Sequence, residues 1–255
     1  MKNSSLKLCA VLSLTVLLGW GCENSTSNEN PIPPRVTLVA KSPDTSIVEL
    51  GIDAEPVDQN QFPLTNKNGI QIHWHPVSDD DLIAYDVFRR KGDTLGSFIK
   101  IGEAARTFGS IDTAYLDTTV ERQSKFFYYV IARDEADQES DPSTKDWYTV
   151  LPEPSLVAPT GGQPFNGIFE WNFAGLGAQH FIFRMERRTV GDEYIPLFLK
   201  LYSIEGNVNT NQRWSLDDFG IGALTPGFYR WRVDVVTLRN DREGAESNWG
   251  IFVVL

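Results

Sequence analysis

Two histidines and a run of aspartates form the densest set of potential ligands in the chain. His73 and His75 lie two apart in residues 70–76, where apolar residues alternate with polar ones. Both imidazoles therefore leave the same face of a strand. That spacing offers two nitrogens to zinc, which needs at least a third ligand. Only His180 or a distant carboxylate could supply it. Asp79, Asp80 and Asp81 offer oxygens of the kind calcium takes, but the twelve-residue loop ending in a distal Glu is absent. The favoured reading of all these residues is structural. The histidines flank a core tryptophan, Trp74, and the short aspartates bond backbone amides in a turn. No metal and no cofactor is expected.

Catalytic chemistry finds little material. The chain has three histidines, no Gly-x-Ser-x-Gly elbow and no His-Glu-x-x-His helix. No pair among its 34 acidic residues stands apart as a glycosidase couple. The reading is a non-enzyme, with a hydrolase as the least favoured alternative. Aromatics are better candidates for binding, because exposed rings stack on sugars or anchor protein partners. Trp147, Tyr148, Trp214 and Trp249 lie outside the two positions expected to fill cores. Trp147 and Trp249 sit near the start of equivalent last strands, which favours packing at a sheet edge. Trp214 lies in the Asn- and Asp-rich stretch 207–218, read as a loop, and is the better candidate for exposure.

The compartment is written at the start of the chain. Lys2 and Lys7 precede an apolar run over residues 8–21, then Cys22 and a polar stretch. Fourteen residues are too few for a bilayer span, which needs roughly 20. The layout resembles a bacterial lipoprotein signal peptide, which implies cleavage after residue 21 and lipidation of Cys22. Leu18-Gly19-Trp20-Gly21-Cys22 departs from the usual lipobox in its bulky Trp20 and early Leu18. Residues 22–33, rich in Asn, Ser, Glu and Pro, read as a flexible tether. The implied location is the cell envelope, anchored by lipid to the outer membrane of a diderm bacterium. The mature part has 21 basic and 34 acidic residues, a formal charge of −13. Nucleic acid is excluded as a partner, since binding it requires a basic patch. With Cys9 removed, Cys22 stands alone and no intrachain disulfide can form.

What positions these residues is a set of short strands. Ile70, Ile72 and Trp74 alternate with polar neighbours, and Phe126, Tyr128, Val130 and Ala132 fall on one face of a later run. The second half repeats the pattern with Phe169 and Trp171, residues 181–188, and Tyr229, Trp231, Val233 and Val235. Glu139-Ser140 is echoed by Glu246-Ser247. The repeat predicts two tandem antiparallel β-sandwiches, residues 34–150 and 151–255, joined at Leu151-Pro152-Glu153-Pro154.

At residues 72–76, 79–82, 85–89, 115–117, 126–134 and 139–140 the first copy resembles fibronectin type III domains. The more divergent second copy is similar to fibronectin III-like or Ig-like domains. The resemblance implies that Trp74 and Trp171 fill the cores. It also implies a corner tyrosine at Tyr229, while Phe126 occupies that place in the first copy without a hydroxyl. Such sandwiches serve many functions. The expectation is an exported binding or adhesion module for a protein or a glycan, with a structural spacer as the alternative. An acidic surface favours a neutral glycan or a basic protein. Replacing Cys22 by Ser should release the protein from membranes or stop its maturation. Unchanged membrane fractionation, with no lipid on the mature N-terminus by mass spectrometry, would refute the anchor.

Overall fold

Alternating apolar residues between turn formers leave little but strands, and the structure is almost wholly β. The computed structural model describes residues 30–57, 68–107, 109–175, 179–203, 209–237 and 241–255. The leader 1–21, Cys22 and the tether as far as residue 29 lie outside the described residues. In the first half the strands are β1 (Thr37–Leu38), β2 (Asp53–Pro56), β3 (Asn68–His75), β4 (Leu82–Lys91), β5 (Ile99–Ala105), β6 (Ala114–Asp117), β7 (Lys125–Asp134) and β8 (Asp146–Val150). In the second they are β9 (Ser155–Ala158), β10 (Gln163–Pro164), β11 (Ile168–Ala174), β12 (His180–Arg188), β13 (Tyr194–Ser203), β14 (Asn209–Ser215), β15 (Gly227–Val236), β16 (Glu243–Glu246) and β17 (Gly250–Val254). One helical turn, α1 (Leu216–Phe219), follows β14 with Ser215 as its cap.

Each half is a sandwich. In the first, β1, β2 and β6 flank β3 and face the sheet β5-β4-β7-β8. Ile70, Ile72 and Trp74 meet Tyr85, Val87, Tyr128, Val130 and Val150, all buried. In the second, β14-β11-β9 faces β13-β12-β15-β17. Phe169 and Trp171 pack edge-on against Trp231 at 4.9 and 6.1 Å. Trp74 and Trp171 thus hold the equivalent core places that the repeat assigns them. The Tyr229 hydroxyl donates to Thr225 O at 2.7 Å, closing the corner. In the first half the Arg89 guanidinium lies 4.9 Å from the Phe126 ring.

The two halves share one ten-stranded sheet. Strand β16 runs parallel to β8, pairing Glu243 with Thr149 and Gly244 with Val150. Leu151 N donates to Gly244 O at 2.9 Å, so the connection between the halves begins as part of the sheet. Side-chain alternation then decides which face is covered where. Val150 points into the first core. Its partner Gly244 pairs with Val236, on the face of β15 opposite Trp231, Val233 and Val235. The two covering sheets therefore lie on opposite sides of the shared sheet.

Two small contacts make this junction close. A Cβ on Gly244 would stand 2.7 Å from the Tyr148 hydroxyl and 2.9 Å from Val235 O. Asn68, buried on β3, donates from Nδ2 to Glu246 O at 2.8 Å and accepts from Glu246 N at 2.7 Å. Its amide thus serves the β16 backbone as a neighbouring strand would. The serines of the sequence echo cap the neighbouring strand in both halves. Ser247 Oγ accepts from Val233 N at 3.0 Å, and Ser143 Oγ accepts from Val130 N in the same way. Ser140 Oγ accepts from Ala132 N at 3.0 Å in the same manner, so the first half makes this contact twice.

Gly244→Val should destabilise the protein by about 1–3 kcal/mol, the range for overpacking. Trp74→Ala and Trp171→Ala should each cost about 3–5 kcal/mol. Because the halves share a sheet, either tryptophan variant should lower one common transition in calorimetry. Two transitions, with only one moved by each variant, would show independent halves.

Candidate functional site

The structure sorts the aromatic and ligand candidates. Tyr148 is buried in the first core, because alternation along β8 turns it inward opposite Phe126. It offers nothing to a partner. Trp214 lies in β14 rather than in a loop, paired with Phe169 across β11. It is partly buried, with its ring 4.5 Å from Tyr202, 5.3 Å from Phe219 and 6.0 Å from Trp171. It completes the second core, and the expectation of exposure is corrected. Trp147 points out of the first sandwich and keeps part of its ring in solvent.

The metal candidates remain apart. His73 is partly buried and its Nδ1 shares a hydrogen with Gly51 O at 2.9 Å; His75 is exposed. Asp79 Oδ1 accepts from Asp81 N at 3.3 Å, the backbone-capping role expected at a turn. Its carboxyl is raised, first by the hydrogen bond it shares with the Asp81 side chain. Among the described residues, the one group of three potential ligands within reach of a shared ion is Glu49, Asp234 and Glu246.

Those three carboxylates are already occupied by arginine. Glu246 receives two bonds from the Arg232 guanidinium, and Glu49 is paired to both Arg232 and Arg184. Arg184 Nε donates to Asp234 at 2.5 Å, and its two NH groups reach the carbonyls of Ser46 and Asp44. The cluster sits on the face of β12, β15 and β16 away from the second core. Its roof is the loop 39–52 of the first half. That loop is held by Lys41, which pairs with Asp44 and Asp53 over the Tyr148 ring. Gly51, at φ +87°, lets the returning strand pass Lys41; a Cβ there would stand 2.6 Å from its backbone. The chemistry the pairings support is cohesion between the two halves. Sequence reasoning missed this cluster because its paired members, such as Glu49 and Arg232, lie as much as 183 positions apart.

Burial dominates the titration of these acids. Desolvation, and then the charge of Asp234, raise Glu49 to about 7 against the opposing pull of Arg232 and Arg184. Desolvation raises Asp44 to about 6 despite Lys41. Glu246, fully buried, is raised well above the carboxylate range for the same reason.

The outer face of the first sandwich carries a second arrangement. Phe127 and Tyr129 alternate outward from β7. Phe127 pairs across to Trp147 on β8, and Tyr129 to Phe88 on β4. The rings touch at 6.3 Å for Phe127 and Trp147, 4.8 Å for Phe88 and Tyr129, and 4.9 Å for Phe98 and Tyr129. All five are partly exposed. Lys125 Nζ lies 3.3 Å from the Trp147 centroid, and Lys145 Nζ lies 4.9 Å from that of Phe98. Desolvation raises the Tyr129 phenol, with Glu139 adding to it. Further along the face, Asp86, Lys100, Glu103 and Arg133 form a closed ion network. The outward phase of β7 is readable in the sequence. The meeting of its rings with Trp147, Phe88 and Phe98 is not.

No known sequence family matches the chain, and no curated protein matches it by sequence. Among solved structures it is similar to the crystal structure of chicken CNTN1 FN1–FN3 domains, at 11% identity and a TM-score of 0.25, over 87% of this chain and 67% of that one. The strand order and the two cores define the class directly: an all-β protein of two antiparallel sandwiches.

Arg232→Leu should cost about 3–5 kcal/mol, because it strands buried carboxylates. The raised acids also set a pH dependence. A folded pKa above the ordinary 3.8 or 4.5 means that folding favours the protonated carboxyl. The stability it contributes is complete below about pH 4 and lost as pH rises through 6 to 7. The melting temperature should therefore fall between about pH 4 and 7, and Glu49→Gln should flatten that fall. An equally steep fall in the variant would remove Glu49 as its source.

Proposed function

We propose that this is a non-catalytic binding module of the bacterial cell envelope, anchored by lipid at Cys22 and held from the outer membrane by the tether 22–33. Its ligand is an extracellular or periplasmic glycan or protein. The observation that carries the reading is the row Trp147, Phe127, Tyr129, Phe88 and Phe98 on the solvent side of the first sandwich. Each sandwich already has an aromatic core, so these rings are additional to what folding requires. Aromatic rings that keep part of their surface in water supply contact area at small entropic cost. A β-sandwich face on a rigid scaffold holds them in fixed relation.

A second reading, a structural spacer, draws on a separate observation. The shared sheet and the buried ion cluster tie both sandwiches into one body, and a spacer must resist bending. The test is purified protein lacking residues 1–21, passed over immobilised envelope polysaccharides and envelope proteins. Retention lost at least tenfold in Trp147→Ala/Tyr129→Ala, with melting temperature kept within a few degrees, is the expected result. Retention unaffected by the double variant would refute binding through this face. No retention at all would favour the spacer.

A further inference from the structure

We infer that the aromatic row binds an acidic polysaccharide, a chain of sugar rings carrying carboxylate or sulfate groups. The inference rests on the binding reading above and names its ligand class. Its basis is the charge around the rings. The chain as a whole is acidic, at −11. On this face the charges beyond the rings are balanced, Lys100 and Arg133 by Asp86 and Glu103, and Arg90, which stands opposite Phe127, is balanced by Asp93. At the rings, where Glu139 is the acid that acts on Tyr129, two cations are left without an acid of their own. Lys125 and Lys145 have no carboxylate within ion-pair distance among the described residues, and each ammonium rests on aromatic faces instead. Asp146, beside Lys145 in sequence, is turned to the other side of β8 and paired to Arg242.

The ammonium held over a ring face, not the ring itself, is what attracts an anion. An approaching carboxylate would draw the ammonium off the ring, and the freed ring would stack on the sugar. The exchange suits a ligand that brings both an apolar ring face and a negative charge, repeated at intervals. A neutral glycan would leave the ammonium groups in place over the rings it needs. The row crosses β8, β7 and β4 and ends at Phe98 beside β5. That is three strand spacings of ~4.8 Å each, room for a short run of sugar rings. The ligand class suggested by net charge alone, a neutral glycan or a basic protein, is thus reversed locally.

The test uses protein lacking residues 1–21 and three probes in isothermal titration: oligogalacturonate, its fully methyl-esterified form, and dextran sulfate. Binding of oligogalacturonate or dextran sulfate is expected, and the ester should bind at least tenfold more weakly than oligogalacturonate. Lys125→Gln/Lys145→Gln should lose at least tenfold for the acidic probes with little change for the ester. Tyr129→Ala should weaken every probe. Glu121→Gln, remote from the rings, should bind like the parent protein. Equal binding of acid and ester would overturn the inference while leaving the binding reading intact. So would acidic-probe binding unchanged in the double lysine variant. Binding of a neutral glycan alone, lost in Tyr129→Ala, would do the same. Retention of nothing by the row, in these titrations and on envelope fractions, would refute both.

Discussion

The parallel contact between β8 and β16 is the constraint on which the rest depends. Among the described residues two residue pairs form it, yet it joins two sandwiches into a single sheet. Gly244 makes it possible, because any side chain there would strike Tyr148 and the β15 backbone. Val150 faces the first core while Val235 faces the second. The sheet is covered on one side in its first half and on the other in its second. A face that would be solvated in an isolated sandwich is thereby brought under the loop 39–52.

That loop explains why strongly charged residues are buried without being a reaction centre. Arg184 and Arg232 would each be costly in a dry interior alone. Here they meet three carboxylates and two carbonyls. Burial first, and the neighbouring acids second, push the Glu49 and Glu246 carboxyls up against the pull of the arginines. The cluster is thus compact but only conditionally stable, and its strength is tied to pH. It is also directional: bidentate bonds and carbonyl contacts fix one angle between the sandwiches.

With the junction rigid, the outer face of the first sandwich becomes a fixed platform. Cross-strand pairing places Trp147 beside Phe127 and Phe88 beside Tyr129, giving a row instead of scattered rings. The same pairing sorts charge. Opposed residues of β4, β5 and β7 neutralise one another at one end. The lysines of β7 and of the turn before β8 find rings at the other. In the proposed function, binding arises from the part of the surface where local pairing leaves charge unmatched.

The amino-acid sequence by itself determined the elements. Period-two alternation marks the strands and their inward phase, which is enough to assign Trp74, Trp171, Tyr128 and Trp231 to cores. The resemblance carried by the sequence motifs implies the corner place of Tyr229. Alternation also turns Tyr148 inward opposite Phe126, although its place beside Trp147 makes it look like a binding residue. Trp214 behaves against its neighbourhood: Asn and Asp dominate its segment, and the pull of Trp171, Tyr202 and Phe219 overrides their preference for a loop. The tertiary structure decided everything that depends on distant partners. Asn68 meets Glu246, and Glu49 meets Arg232, at separations of 178 and 183 positions. No local pattern encodes such contacts, because they follow from the register of one strand pair and the path of one loop. Alternation shows which side chains face out; only the fold decides which of them stand together, and which ammonium groups are left without an acid.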